Sequence, residues 1–366
     1  MINTVLEEYQ RIVRTASPRP TTWCDVIGNE TAVELIREAI QAANIQSQQM
    51  AHTLLFGPPG MGKTTMSKLV AAEIGSGFVE TTASTLETPA DMVRILDQLN
   101  LEKERTGKPS VLFIDECHMI GAAKGRLAID QESIFPLLED WFFPHNLLGK
   151  HFTRFDGQDR VLTGNTFLVW PFTCVGATTE PGLLSTALLR RFLIHIELQP
   201  YTEEDIARIM DGSAQRMGWE LEDGASTELA KYARRNPGRA YQLLTSARNR
   251  AIATTRSIIS LDVVSEILER MRLYPQVLTD TDVRILQILA DRAPKGVGMA
   301  ELCRAAGISQ SQFSGMLEPY LRLLGFVETL SRRVITNRGL VYLAQLDRVD
   351  QTRPEVRAAV AAARTS

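Results

Sequence analysis

Short apolar runs alternate with helical-period segments over the first half of the chain, and the alternation stops near residue 200. Thr53-Leu54-Leu55-Phe56 and Val111-Leu112-Phe113-Ile114 are runs of the kind that fill both faces of a buried parallel strand. Phe172 to Val175 reads as another. Between the runs the spacing predicts helices, one from Thr64 to Ile74 with Gly75 and Gly77 placed to end it. This pattern predicts an α/β fold with a doubly wound parallel sheet. Residues 201–271 read as helical throughout. Thr202-Glu203-Glu204-Asp205 opens one helix with capping-box spacing, and Ser260-Leu261-Asp262 opens the last.

From Leu278 to about Leu346 the pattern gives three helices and a ribbon. Met299 to Ala306, the Gly307-Ile308 turn and a helix opened by Ser309-Gln310-Ser311-Gln312 make a helix-turn-helix. The ribbon runs from Gly325 to Glu328 and back from Val334 to Thr336, with Leu330-Ser331-Arg332-Arg333 at its tip, which completes a winged helix. The expected organisation is an amphipathic segment at 1–20, a large α/β domain at 21–198 with a hairpin insert at about 142–171, a helical lid at 199–273, the winged helix at 276–347 and a tail at 348–366.

The chemistry is concentrated at the ends of two strands. Gly57-Pro58-Pro59-Gly60-Met61-Gly62-Lys63-Thr64-Thr65 follows the first strand and opens a helix. Glycines in that setting let backbone N–H groups converge on phosphate oxygens, helped by the helix N-terminus. Lys63 is placed to reach the β- and γ-phosphates, and the Thr64 hydroxyl to take one position on Mg²⁺. Asp115-Glu116 ends the second run. Asp115 fits a residue that holds Mg²⁺ through water, and Glu116 one that orients an attacking water.

Composition narrows the setting. The 366 residues suffice for two or three domains, and no apolar run approaches membrane-spanning length. The N-terminus lacks the apolar core of a signal peptide, so the expected location is the cytoplasm. Cys24, Cys117, Cys174 and Cys303 show no metal-ligand spacing, and three of them read as core fillers. A net charge of −3 argues against a strongly basic nucleic-acid binder but leaves room for a few placed arginines on phosphates.

The quoted motifs carry a resemblance that extends from about Arg19 to Leu346. With Ser17-Pro18-Arg19-Pro20, Val26-Ile27-Gly28, Gly176-Ala177-Thr178-Thr179-Glu180-Pro181-Gly182, Leu189-Arg190-Arg191-Phe192, Asn236-Pro237-Gly238-Arg239 and Glu318-Pro319-Tyr320-Leu321, the chain resembles the RuvB family of AAA+ ring ATPases, which drive branch migration of Holliday junctions. The resemblance implies ATP and Mg²⁺ as ligands, a homohexameric ring, and double-stranded DNA or a four-way junction as partner. It implies Thr179, or its neighbour Thr178, as the first sensor of the γ-phosphate. Arg191, with Arg190 adjacent, aligns with the arginine finger that enters a neighbour's site, and Arg239 with the second sensor. Arg19, Ile27 and Tyr201 would line the adenine end, and Glu139-Asp140-Trp141 would be a further nucleotide-proximal stretch. Arg332 and Arg333 would touch DNA phosphates.

Two departures stand out. The ribbon has Glu328-Thr329 where the family carries a further arginine, and the insert sequence is not the family's. A hairpin with Asp156-Gly157 as its turn is still expected there, and exposed Phe152, Phe155 and Trp170 would suit a protein contact such as a RuvA-like junction binder. Besides the motor, a loader or assembly regulator for a replication or transposition machine fits the same motifs.

Overall fold

The computed structural model describes residues 18–121, 129–144, 152–155, 158–161, 166–271, 275–329 and 331–352. Residues 1–17 of the expected amphipathic segment at 1–20, the Asp156-Gly157 turn, Tyr274, Leu330 and the tail from residue 353 lie outside the described residues, as do the side chains of Phe152 and Phe155. The chain forms two compact units, residues 1–248 with 257–259 and residues 249–256 with 260–366. The stretch expected as one helical lid is divided between them.

In the first unit, α1 (Glu30–Gln46) precedes β1 (Thr53–Phe56), and α2 (Lys63–Ile74) follows the glycine loop. Then come β2 (Phe78–Thr82), α3 (Pro89–Thr106), β3 (Val111–Asp115) and α4 (Phe135–Glu139). The insert contributes β4 (Phe142–Pro144), β5 (Phe152–Phe155), β6 (Gln158–Val161) and β7 (Thr166–Leu168). β8 (Thr173–Thr178), α5 (Thr186–Leu189) and β9 (Ile194–Glu197) complete the α/β part, and α6 (Glu203–Arg216), α7 (Ala225–Ala230) and the start of α8 (Pro237–Ala253) follow. The five main strands are parallel in the order β2-β3-β8-β1-β9.

β8 is longer than the apolar run suggests. Gly176 pairs with both Leu54 and Ile114, Ala177 pairs with Leu55, and Thr178 pairs with Phe56, so the ladder carries the strand three residues past Val175. Beneath it Leu112, Ile114 and Cys174 close on Met92 and Leu96 of α3 and on Leu137 of α4. Burying each such leucine stabilises the unit by roughly 1.5–3 kcal/mol. Cys117 and Cys174 are buried fillers, and Cys24 is exposed.

The insert is two antiparallel ladders. β4 pairs with β7, and their Phe143 and Phe167 are buried in the core. β5 pairs with β6 in the expected hairpin. Trp170 is half-buried rather than exposed; its backbone N–H donates to the Asn100 side-chain oxygen at 2.9 Å, and Asn100 donates in turn to the Leu168 carbonyl. That asparagine fastens the base of the insert to α3.

The second unit contains α9 (Leu261–Arg270), α10 (Asp280–Asp291) and α11 (Met299–Ala306). Gln310–Gln312, a π-helical turn Phe313–Leu317 and Glu318–Leu323 then form a continuous second helix of the helix-turn-helix. The widening has a cause in Pro319, which has no N–H to return to residue 315. The ribbon pairs β10 (Val327–Thr329) with β11 (Arg333–Ile335). A fourth helix of the winged-helix region, α12 (Asn337–Thr352), runs into the expected tail, anchored by Tyr342 stacked on Phe326 at 4.8 Å and by buried Leu346.

Arg333 belongs to a strand and not to the ribbon tip, and its charge is spent inside the unit. Its Nε donates to Glu318 Oε1 at 2.9 Å, and Thr329 donates to the same oxygen at 2.6 Å. Glu318 is buried, so the Arg333 guanidinium is held at an ion pair inside the unit. Removing one partner of such a pair strands the other's charge. Glu318→Ala should therefore cost the second unit about 3 kcal/mol, read as an earlier urea midpoint; an unmoved midpoint would show that the pair contributes nothing.

Candidate active site

Strand register decides where the reactive groups lie. Phe56 sits opposite Thr178, and Ile114 opposite Gly176, so the ends of β1, β3 and β8 deliver the glycine loop, Asp115 and Thr178-Thr179 to one edge of the sheet. Ligands bind at that edge in open α/β sheets. A cavity of about 320 Å³ opens there. Gly60, Gly62, Lys63, Thr64, Thr65, Asp115 and Glu116 line it, as do Arg19, Ile27 and Tyr201. Gly57 lies beneath the loop, its N–H donating to the Thr178 carbonyl at 3.3 Å.

The Lys63 side chain crosses back under the loop. Its Nζ donates to the carbonyls of Gly57 at 2.7 Å and Pro58 at 3.1 Å. Burial draws the ammonium below the ordinary lysine value, while the carboxylates of Glu116 and Asp115 oppose that shift. A cation already stripped of water beside a loop of N–H donors is arranged for a polyanion.

The two carboxylates are driven apart. Burial, and then the charge of Glu116, raise Asp115 above the usual carboxylate range. Burial works to raise Glu116 too, but hydrogen bonds from His118 and Thr179 outweigh it and hold Glu116 low. Glu116 Oε2 accepts from the Thr179 N–H at 3.1 Å and the Thr179 hydroxyl at 3.0 Å, with His118 Nδ1 at 3.3 Å. His118 Nδ1 also shares a hydrogen bond with the Thr178 hydroxyl at 2.8 Å. The backbone of Glu116 sits in the left-handed region at φ 47°, a strain of about 1–2 kcal/mol. Thr179 thus faces the carboxylate, and Thr178 faces the histidine.

Helix α8 starts against the loop. Asn236 caps it, accepting from the Arg239 N–H at 3.0 Å, and donates its own amide to the Pro59 carbonyl at 2.7 Å. The Gly238 N–H donates to the Gly60 carbonyl at 3.0 Å. Gly60 has φ 79°, and a Cβ there would lie 2.5 Å from Asn236 Oδ1, so a side chain would break the contact. Arg239 itself turns its Nε to the Tyr232 carbonyl at 3.0 Å and does not line the cavity. Ser213 and Arg216 of α6 both donate to the Pro18 carbonyl, at 3.0 and 2.9 Å, and so hold the Arg19 segment in place.

A second group of predicted residues gathers away from the cavity. Phe192 is buried against Gly176, which fixes the end of α5. The adjacent Arg191 lays its guanidinium 3.7 Å from the centroid of the Phe135 ring, donates to the Ala187 carbonyl at 2.6 Å and pairs with Glu139 at 3.2 Å. Glu139, Asp140 and Trp141 do not line their own chain's cavity. Trp141 packs edge-on against His52 and Phe172 instead.

Comparison with known proteins accords with this geometry. The family model described as the Holliday junction DNA helicase RuvB P-loop domain matches residues 18–198, and that of the RuvB C-terminal winged helix domain matches residues 277–344. The RuvB subunit of Nitratidesulfovibrio vulgaris Hildenborough is 33% identical over 329 residues, covering 89% of this chain and 96% of that protein. The chain belongs to the RuvB family. The Ligilactobacillus salivarius RuvB subunit is 32% identical over 87% of this chain and 89% of its own length. The solved Thermotoga maritima RuvB Holliday junction branch migration motor superposes with a TM-score of 0.72 at 30% identity, over 89% of this chain and 98% of that one.

RuvB membership implies nucleotide binding, and the cavity is the candidate place for it. The buried Lys63 ammonium, the turned glycine loop, and the Thr64 hydroxyl and Asp115 carboxylate sharing one cavity fit a triphosphate with a bound divalent cation. Sequence reasoning gave no role to Asn236, His118 or Arg216. Asn236 had a local signal, an asparagine directly before a helix-opening proline. Asn236→Ala should weaken nucleotide binding about tenfold, since it removes the side chain's hydrogen bonds to the Pro59 carbonyl, the Met61 sulfur and the Arg239 N–H. Titration calorimetry would check this, and an unchanged Kd would mean that the lid gives the loop no support.

Proposed function

We propose that this chain is an ATP-driven ring subunit that moves double-stranded DNA and drives branch migration at four-way junctions. The observation that carries the reading is Lys63, Asp115 and Glu116 meeting on one cavity in a chain of the RuvB family. ATP is the substrate. The loop N–H groups and Lys63 bind its phosphates, and Arg19, Ile27 and Tyr201 receive the base. Thr64 and Asp115 would hold Mg²⁺, which supplies charge neutralisation on the phosphate oxygens.

Glu116 stays ionised beside a buried lysine, as a carboxylate must to orient water. Its Oε2 is taken by Thr179 and His118, so Glu116 turns to water when Thr179 exchanges the carboxylate for the γ-phosphate. Arg239 stands one residue past the Gly238–Gly60 bond, where a change in lid angle moves both. Arg191 and Glu139 share one surface group, separate from the chain's own cavity. In a homohexameric ring Arg191 leaves Glu139 for the neighbour's phosphate. The two residues are then proximal to a nucleotide across the subunit boundary.

The winged helix engages duplex DNA, and the insert at 142–171 offers its hairpin to a RuvA-like protein on the junction. Among the described residues no helix is long and apolar enough to cross a membrane, and we assign the chain to the cytoplasm with its DNA.

A shared site makes a test by mixing. Arg191→Ala alone should bind ATP yet lose at least a hundredfold in turnover, as an arginine finger supplies about 10³–10⁵. Lys63→Ala alone should neither bind nor hydrolyse. Random 1:1 mixing makes about a quarter of the interfaces complete in a closed ring, so steady-state turnover should reappear at that level. Intact assembly with no recovery would remove Arg191 from the neighbour's site.

A further inference from the structure

Arg333 is paired with Glu318, which turns attention to the other cations of the winged helix as holders of duplex phosphates. Residues 277–344 carry eight lysines and arginines against six aspartates and glutamates, so the unit's surplus is small and position decides what it can bind. The second helix of the helix-turn-helix is a poor candidate. It exposes Gln310, Gln312 and Met316, and its one arginine, Arg322, lies at its far end. Arg292 faces Glu301 at 3.7 Å.

The loop before α11 is different. Val297 forms an antiparallel bridge with Arg333, with both backbone hydrogen bonds at 2.9 Å, so the loop is stitched to the inner side of the ribbon as a third short strand. Gly296 is buried, with φ 67°, and a Cβ there would lie 2.8 Å from both the Arg333 carbonyl and Val334. Only glycine lets the backbone approach so closely. The Gly296 carbonyl accepts from Arg332 Nη1 at 3.3 Å. Lys295, exposed, precedes Gly296, and Arg332, exposed, is bonded to it, so two cations from distant parts of the sequence stand on one rim with their backbones fixed.

We propose that Lys295 and Arg332 form a paired phosphate clamp on the backbone of duplex DNA, with Lys295 replacing the wing-strand arginine that this unit uses for its own packing. A lysine is a compact charge without base preference, and two fixed cations on one rim suit successive phosphates rather than base edges. The inference rests on the proposed action on duplex DNA.

The test is binding of the full chain, with a slowly hydrolysed ATP analogue, to a fluorescent duplex across a salt series. Each phosphate contact adds about 0.9 to the slope of log K against log salt. Lys295→Ala should lower the slope by about 1 and the affinity severalfold, and the double change with Arg332→Ala should lower the slope by about 2. Lys295→Arg should restore the slope. An unchanged slope in the double variant, with the parent chain binding duplex normally, overturns the clamp and leaves the DNA reading intact. A parent chain that binds no duplex overturns the DNA reading, and the clamp with it.

Discussion

Taking the Lys63 ammonium out of water leaves a charge that must find partners within reach, and much of the first unit is arranged around meeting that need. The loop carbonyls of Gly57 and Pro58 accept from it directly. Asp115 and Glu116 stand close enough to oppose its deprotonation. The parallel pairing of β1 and β3 with β8 brings those groups together from strands far apart in sequence. The loop, in turn, is braced from the lid side by Asn236 and Gly238. A buried cation with such neighbours is stable only because its surroundings are fixed, and a polyanion is the ligand that such surroundings receive best.

A common device recurs across the chain. Polar groups that chemistry would use are held by partners of the same chain. Glu116 is bonded to Thr179, Arg191 to Glu139 and Arg239 to Tyr232. Each of these contacts joins charged or polar groups that a phosphate could replace at little net cost, because one set of charge-assisted hydrogen bonds gives way to another. Arg333 differs in that its partner, Glu318, is buried.

Local signals were legible in the sequence. The glycine loop, the apolar runs and the acidic pair are contiguous, and their spacing alone fixes strand, loop and helix. The helix-turn-helix was equally plain. What escaped depends on register or on distant partners. Which of Thr178 and Thr179 faces Glu116 follows from where β8 ends, three residues beyond its apolar run. Arg333 reads as a tip cation until Glu318, fifteen positions earlier, is seen to meet it. Trp170 reads as exposed until Asn100 claims its backbone. The start of α12 was hidden because its anchors act at a distance in sequence: Tyr342 stacks on Phe326, and Leu346 is buried in the same core cluster.

Hydrolysis at this site is coupled to movement of DNA in the proposed function. The most direct measurement follows a synthetic four-way junction, labelled on two arms, as it resolves into duplexes in the presence of the purified chain. Resolution should be steady with ATP and Mg²⁺, and should arrest with a non-hydrolysable analogue while the junction stays bound. Resolution at equal rates with ATP and with the analogue, or ATP turnover that leaves the bound junction in place, would contradict that coupling.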